Sequence, residues 1–450
     1  MASAPARRSL LALVATAGLA LGGMAACSND NSSTSSDNLS KPECAAYKEF
    51  TGISGKTVSV YTSIRDAEAD LLQQAWKPFE TCTGATIDYE GSGDFEAQLQ
   101  IRVQGGNAPD IAFIPQPGLL EKLAKAGNLK EAGGKAKGTA EANYSKDWLK
   151  YATVDGKLYG APLGSNVKSF VWYSPTMFKE KGWTVPNTWD ELIALSDKIA
   201  ATGIKPWCAG IESGSATGWP ATDWIEDILL RDQGPDVYDQ WVAHTIPFND
   251  ARIASATDKV GQILKNDKYV NGGLGGVKSI ATTSFQAGGT PITAKKCALH
   301  RQASFYANQW PQGTKVGEDG DVFAFYFPAV DPSKGKPVLG GGEFTAAFDE
   351  RPEVQAFQAY LASPDFANAR AKLGNWVSAN KGLKLENVAN PIDKKSVEIL
   401  QDPNTVFRFD GSDLMPAQVG AGSFWKGMTD WINGKDTKAT LDFIEGSWPK

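Results

Sequence analysis

The segments TVSVY at residues 57–61, TIDY at 86–89 and DIAFI at 110–114 decide the fold. The first two alternate polar and apolar residues as strands do, and the third is almost wholly apolar. Between them, apolar residues recur at helical spacing. These are Ala67, Leu71, Leu72, Ala75 and Phe79, then Phe95, Leu99 and Val103. The order strand, helix, strand, helix, strand predicts an α/β protein that begins with half of an open parallel sheet.

Polar residues follow the predicted strands where a ligand of such a sheet binds, beyond the strands' carboxyl ends. Ser63 and Arg65 follow the first strand, Asp94 follows the second, and Gln116 follows the third. Asp110 closes the GNAPD turn that opens the third strand. We expect all five to bind ligand, Arg65 by its forked guanidinium. Alternatively, Arg65 is a surface charge, Asp94 caps the next helix, and Asp110 fixes the turn.

The amino-terminal sequence predicts export. Arg7 and Arg8 precede an apolar run at residues 10–21, and small residues then lead to Cys27. This pattern is typical of a signal peptide, here residues 1–26. The run is shorter than the roughly 20 residues that span a bilayer.

Cys27 and its surroundings predict a lipid anchor. Small residues before a cysteine resemble the bacterial lipobox, in which the cysteine is acylated. Residues 27–41 are rich in Ser, Asn and Asp and predict a flexible tether. We therefore expect the chain at the extracellular face of the cell membrane, held by lipid at Cys27. The alternative is a secreted protein with an incidental cysteine.

Composition narrows the chemistry. The net charge of −6 argues against nucleic acid as a partner. With only two histidines, a His-rich zinc site is not expected, and no GxSxG elbow accompanies them. We predict no metal and no cofactor. Fourteen tryptophans suit the apolar faces of sugar rings, although a large core also uses them.

Four cysteines remain after Cys27, and in an exported chain four cysteines form two disulfides with three possible connectivities. Proximity in sequence favours Cys44 with Cys82, which leaves Cys208 with Cys297.

A second set of elements follows residue 164. The pattern predicts strands at 168–173, 206–209 and 322–327 and a hinge at the glycines 340–342. It predicts helices at 189–200 and 219–231, and surface helices at 351–361 and 422–432.

Four stretches carry a resemblance to a known family. They are NVKSFVWY at 166–173, the segment 206–231, GGEFTAAF at 341–348 and the segment 408–425. With the opening βα unit and the GNAPD turn, they resemble solute-binding proteins of carbohydrate ABC importers, the maltose-binding-protein-like group. They are most similar to its alpha-glucoside-binding members.

The resemblance implies a two-lobed, periplasmic-binding-protein-like fold, each lobe an open sheet flanked by helices, joined by hinge strands. One lobe would comprise residues 52–164 and about 298–339, the other 165–297 and about 340–450. It implies a monomer without catalytic activity that captures an alpha-glucoside, neutral or acidic, and delivers it to an ABC permease. The open alternatives are an exported glycoside hydrolase with paired carboxylates, or a scaffold without a pocket.

Further ligand residues are expected within the similar stretches and one nearby loop. They are Lys168, Trp219, Asp223, Trp224, Glu343, Phe344, Trp376 and Asp413. Tryptophan can stack on a pyranose, and a carboxylate can accept two hydroxyl hydrogen bonds. Each position has a structural alternative. Trp224, Phe344 and Trp376 could be core aromatics, and Asp223 could stabilise a helix N-terminus.

Overall fold

A computed structural model describes residues 38–388, 390–402 and 404–449. The predicted signal peptide, Cys27 and most of the predicted tether lie outside these residues. None of the helices in the described part of the chain is long and apolar enough to cross a membrane.

Thirteen strands form within the described residues. They are β1 Thr57–Thr62, β2 Thr86–Gly91, β3 Ile111–Ile114, β4 Thr153–Val154, β5 Lys157–Leu158, β6 Asn166–Val167, β7 Phe170–Tyr173, β8 Lys205–Trp207, β9 Cys297–Arg301, β10 Phe323–Tyr326, β11 Lys336–Gly341, β12 Phe344–Ala347 and β13 Thr405–Phe409.

The α-helices are Asp66–Thr83, Phe95–Gln104, Pro117–Lys125, Gly134–Asn143, Lys146–Leu149, Pro175–Lys181, Trp189–Ala200, Trp219–Gln233, Pro235–Val242, Ala251–Leu264, Phe285–Gly288, Pro352–Leu361, Pro364–Ala371, Pro391–Gln401, Gly411–Leu414, Trp425–Ile432 and Thr437–Glu445.

The first sheet confirms the predicted opening unit. Its strand order is β12-β3-β1-β2, with β1 parallel to both β2 and β3. The helix Asp66–Thr83 ends at Gly84, whose φ of 73° suits glycine, and the Gly84 N–H donates to the carbonyl of Glu80. The local sequence pattern thus positions the ends of β1, β2 and β3 at one edge of this sheet.

The second sheet corrects the predicted lobe boundaries. Its order is β10-β7-β9-β8, so residues 297–301 and 323–326 pair around β7. The assignment of about 298–339 to the first lobe is therefore wrong. Instead, β12 pairs antiparallel with β3 and returns the chain to the first sheet. Both features depend on pairing between strands that are distant in the sequence. Local periodicity cannot predict such pairing.

The helix Pro352–Leu361 also belongs to the first lobe. Phe357 lies 5.5 Å from Trp76, and Tyr360 stacks 4.8 Å from Phe79, between ring centroids. Because Phe357 and Tyr360 are buried, this is a core helix rather than the predicted surface helix.

A third, three-stranded sheet of order β13-β11-β6 lies where the chain crosses between lobes. β6 precedes β7 of the second sheet, and β11 precedes β12 of the first. The predicted strand 168–173 is interrupted, since β6 ends at Val167 and β7 begins at Phe170. Lys168 and Ser169 therefore lie in the crossover itself.

Both predicted disulfides are present. Cys44–Cys82 ties the turn Pro42–Tyr47 to the first long helix, and Cys208–Cys297 joins the segment after β8 to β9. Each cross-link closes a loop within a single lobe.

Candidate ligand-binding cleft

A cleft opens between the two lobes at the carboxyl ends of the first sheet's strands. On that side it is lined by residues 63–66 and 68 after β1, residues 92, 93 and 96 after β2, and Pro115 and Gln116 after β3. The opposite wall carries Trp219, Phe285 and Phe305. Crossover residues form the floor, including Gly164 to Asn166, Lys168, Glu343 and Trp376.

Eight of the thirteen predicted ligand residues line this cleft. They are Ser63, Arg65, Gln116, Lys168, Trp219, Glu343, Trp376 and Asp413. The strand-end rule and the similar stretches together account for all of these except Trp376, which was expected from a loop.

Asp110, Trp224 and Phe344 do not line the cleft. Asp110 accepts hydrogen bonds from the Ser59 N–H at 2.8 Å and hydroxyl at 3.1 Å, and it ion-pairs with Arg351. Trp224 packs in the hydrophobic core of the second lobe, and Phe344 is fully buried in β12. Asp110 therefore stabilises the local backbone, and Trp224 and Phe344 are core residues, as their structural alternatives had it.

Asp223 and Asp94 also depart from the expected role. Asp223 is fully buried behind Lys168 and is an ion-pair partner rather than a cleft residue. Asp94 makes no side-chain capping bond to the helix that follows it. Its Oδ1 accepts a hydrogen bond of 3.0 Å from the Ser215 N–H in the other lobe. Asp94 therefore connects the two lobes.

Sequence reasoning missed several cleft residues. They include Asp66, Glu68, Glu96, Asn166, Phe285, Phe305, Asp393, Asp410 and Trp425. Phe285 and Phe305 lie in short helical turns without periodicity. Glu96 was detectable, because it stands beside Phe95 in a helix start that points toward the strand ends.

Trp219 anchors the aromatic wall. Its ring centroid lies 5.2 Å from that of Phe285 and 6.1 Å from that of Phe305. Lys168 Nζ lies 5.4 Å from the Trp219 ring centroid, within cation–π range. Gly218, which precedes Trp219, has a φ of 115°, a value that residues with a side chain disfavour. The helix Trp219–Gln233 therefore begins with an indole side chain at the cleft.

Lys168 links the crossover to two helices, Trp219–Gln233 and Gly411–Leu414 with its N-cap Asp410. Its ammonium lies 3.0 Å from Asp223 Oδ1, contacts the Asp410 carboxylate, and is 4.0 Å from Asp413 Oδ2. Burial alone would lower the pKa of Lys168, but these three carboxylates raise it well above its usual value. Burial would likewise raise the pKa of Asp410, yet Lys168 and neighbouring hydrogen bonds hold it low.

The network continues behind the cleft. Arg301 bridges Asp223 at 3.2 Å and Asp227 at 3.1 Å. Glu226 accepts hydrogen bonds from the backbone N–H groups of Gly411 and Ser412, at the start of a short helix. Asp223, Glu226 and Asp410 form a compact carboxylate group, whose charge Lys168, Arg301 and these N–H groups offset. Burial raises the pKa of Asp223 to about 7.

Buried and half-buried carboxyl groups also surround the first-lobe side of the cleft. Burial, followed by repulsion from Glu343, raises the pKa of Glu68 to about 8. Burial raises the pKa of Glu96 too, although the Gln116 amide donates to its Oε1 at 3.0 Å. Asp393, which accepts from the Trp376 N–H at 3.0 Å, has its pKa raised to about 7 by burial.

Glu68 predicts a pH-dependent stability. Its pKa is about 8 in the folded chain against 4.5 ordinarily, so the folded state binds the proton more tightly. Folding stability contributed by this group is present below pH 4.5 and is lost as the pH rises toward 8. Glu68→Gln should therefore gain thermal stability relative to the wild type as pH increases. Melting temperatures from pH 5 to 8.5 measure this. The exposed Glu121→Gln is the control, and a parallel wild-type and Glu68→Gln profile would contradict it.

Asp94 predicts an effect on affinity without ligand contact. Asp94→Ala removes the interlobe hydrogen bond to Ser215. A net loss of about 1 kcal/mol, roughly fivefold in Kd, should apply equally to every ligand, because the bond stabilises closure. Titration calorimetry with two or more bound sugars measures this. Asp88→Ala, on an exposed β2 position, is the control. A loss confined to one sugar would show direct contact instead.

Several buried polar atoms in cleft-lining residues have no hydrogen-bond partner. They are Arg65 Nε, Gln116 Oε1, Ser165 Oγ, Asn166 Oδ1 and Trp425 Nε1. Leaving such groups unpaired costs about 1–3 kcal/mol each. Their concentration at the cleft indicates a place for a polar, multiply hydrogen-bonding molecule.

Two α/β lobes joined by crossing strands, with aromatic and carboxylate side chains facing each other across the cleft, define the class of solute-binding proteins. The chain belongs to the bacterial extracellular solute-binding protein family, whose family model matches residues 63–368. The chain is a solute-binding protein of a carbohydrate ABC importer, and its relatives and fold are those of solute-binding proteins rather than of enzymes. This confirms the resemblance and the predicted fold class.

Similar proteins and solved structures support the assignment to this family. The chain is 41% identical to the osmoprotective compounds-binding protein GgtB of Synechocystis sp., over 88% of this chain and 93% of that protein. It is 38% identical to the alpha-glucosides-binding periplasmic protein AglE of Rhizobium meliloti, over 89% of each. The solute receptor AcbH structure superposes with a TM-score of 0.73 at 21% identity, covering 87% of this chain and 97% of that one. Maltose-bound MalE3 of T. maritima gives 0.68 at 14% identity, covering 87% and 98%.

Proposed function

We propose that this chain captures an alpha-glucoside, a di- or oligosaccharide, by closing its two lobes, and delivers it to an ABC permease. The observation that carries the proposal is the pairing of walls across the cleft. Trp219, Phe285 and Phe305 offer apolar faces, and Glu68, Glu96 and Gln116 offer acceptors. A pyranose has an apolar face and a rim of hydroxyls, so it is complementary to both walls.

The relatives support the alpha configuration. AglE is described as binding alpha-glucosides and GgtB as binding osmoprotective compounds, and both align along most of this chain. The interlobe bond from Ser215 to Asp94 supports closure, since it forms only when the lobes meet.

Thermal-shift measurements with matched sugars test the specificity. Maltose and trehalose should raise the melting temperature of residues 38–450, whereas cellobiose, the β-linked partner of maltose, should not. Binding at a hundredfold excess over Kd contributes about 2.7 kcal/mol to folding stability. The sugar should be recovered unchanged. Equal shifts with maltose and cellobiose, no shift with any alpha-glucoside, or released glucose would each contradict the proposal.

We also propose that Cys27 carries the lipid anchor and that the domain acts as a monomer. The apolar run and the small residues before Cys27 support anchoring. In the native host, wild-type protein should sediment with membranes and Cys27→Ala should appear in the medium. Equal membrane association of both would contradict the anchor.

A further inference from the structure

Carboxylates outnumber cations around the cleft. Seven carboxylic side chains line it, at Asp66, Glu68, Glu96, Glu343, Asp393, Asp410 and Asp413. Arg65 and Lys168 are the two cationic side chains among the lining residues. Carboxyl groups therefore clearly outnumber cationic groups among the lining side chains.

The layer behind the lining does not offset this excess. Asp223, Glu226 and Asp227 contribute three further carboxylates. Arg231 pairs with Asp227, and Arg301 pairs with Asp223 and Asp227. The third buried arginine, Arg370, acts instead on Glu68 and Asp393 of the lining. Carboxyl groups therefore still outnumber cations when this layer is included.

Lys168 is already engaged. Its ammonium interacts with Asp223, Asp410 and Asp413, and its side chain is 8% exposed. A ligand carboxylate at this point would have to compete with three protein carboxylates for one cation. That leaves Arg65 as the cationic side chain of the lining that is not held in an ion pair within the described residues.

An unpartnered acceptor marks the first-lobe wall. Gln116 is 4% exposed, and its amide N–H donates to Glu96. This bond leaves Gln116 Oε1 without a partner. A buried carbonyl oxygen beside a carboxyl group is complementary to a hydrogen-bond donor on a ligand.

We propose that the cleft selects by ligand charge, accepting glycosides that carry a protonated amine in preference to their neutral parents and rejecting glycosides that carry a carboxylate. This inference rests on the proposed function and refines its substrate class. A primary ammonium donates three hydrogen bonds and accepts none, which matches a wall of acceptors. Charge-assisted hydrogen bonds are roughly twice as strong as neutral ones.

The buried carboxyl groups favour a cation for a second reason. Burial raises the pKa of Glu68, Glu96, Glu343 and Asp413, so these groups hold protons that solvated carboxyls would release. An ammonium placed among them would favour the ionised form. A ligand carboxylate would add repulsion instead.

Three analogues of one sugar test the inference. Calorimetric Kd values at pH 6.5 are compared for trehalose, 6-amino-6-deoxytrehalose and the corresponding 6-carboxylate, or for the matching maltose set if maltose gives the larger thermal shift. The amine should bind about tenfold tighter than the parent and the carboxylate at least about tenfold weaker, with the difference shrinking at high salt.

Variants locate the effect. Glu68→Gln combined with Glu343→Gln should reduce the ratio of parent to amine Kd to about threefold or less, because it removes two carboxyl groups that an adjacent ammonium would bring to the ionised form. Glu121→Gln, on an exposed helix position, should leave the ratio as in the wild type. An unchanged ratio in the double variant would overturn the assignment to this wall.

The outcomes separate the two proposals. If the parent sugar binds and the carboxylate binds equally or more tightly, charge selection is overturned and alpha-glucoside capture stands. If no member of either set binds, both are overturned.

Discussion

Lys168→Met should lower the free energy of unfolding by about 3–5 kcal/mol, the usual cost of removing one partner from a buried ion pair. Lys168 is the shared cation of Asp223, Asp410 and Asp413, and all three carboxyl groups are at least 89% buried. Without the ammonium, these groups must take up protons or remain buried and charged. Because Lys168 also lies in the crossover and lines the cleft, sugar affinity should fall with stability.

Two companions make this prediction specific. Adding Asp410→Asn to Lys168→Met should recover part of the loss, because one carboxylate is removed while the amide oxygen can still accept from Ser412 and the Asp413 N–H. Lys438→Met, in an exposed pair with Asp442, should change stability by about 0.5 kcal/mol or less. Urea unfolding measures all three. A loss below about 1 kcal/mol for Lys168→Met would show that the network does not depend on its cation.

Trp219→Ala should weaken binding of the preferred sugar at least about 30-fold. Removing a central aromatic anchor commonly costs 2 kcal/mol or more of binding energy, and about 30-fold corresponds to that amount. Trp219 lines the cleft and is partly exposed, so its removal should affect binding more than folding. The ligand-induced change in tryptophan fluorescence should also decrease.

Trp148→Ala is the matched control. Trp148 is also partly buried and lies 5.2 Å from Phe407 between ring centroids, but it lines a second groove rather than the cleft. Its loss should leave sugar affinity unchanged. Calorimetry on both variants decides. A Trp219→Ala protein within threefold of wild type would remove Trp219 from the binding wall.

The sequence predicted the first βαβαβ unit because that unit is built from local periodicity. It failed to place β9, β10 and β12, whose partner strands lie more than ninety residues away in the chain. Composition and periodicity carry no record of such partners. The placement of about 298–339 in the wrong lobe followed directly.

The site residues also divide into those that the local sequence predicts and those whose position depends on the tertiary structure. Strand ends located Ser63, Arg65 and Gln116 without any tertiary information. Lys168 was predicted to lie in the same strand as Trp172, at 168–173, but β7 begins only at Phe170. As a result Lys168 lines the cleft while Trp172 is fully buried in the core. The segment around Phe285 shows neither strand nor helix periodicity. The position of Phe285 at the cleft is therefore apparent only in the folded structure.

Sugar capture between the lobes is tested by a crystal structure with the alpha-glucoside that gives the largest thermal shift. One sugar should lie between the lobes, with a pyranose face on Trp219 and hydroxyls donating to Gln116 Oε1 and to the carboxyl group of Glu68 or Glu96. A sugar bound elsewhere, or bound in the cleft without contact to Trp219 and Gln116, would contradict it.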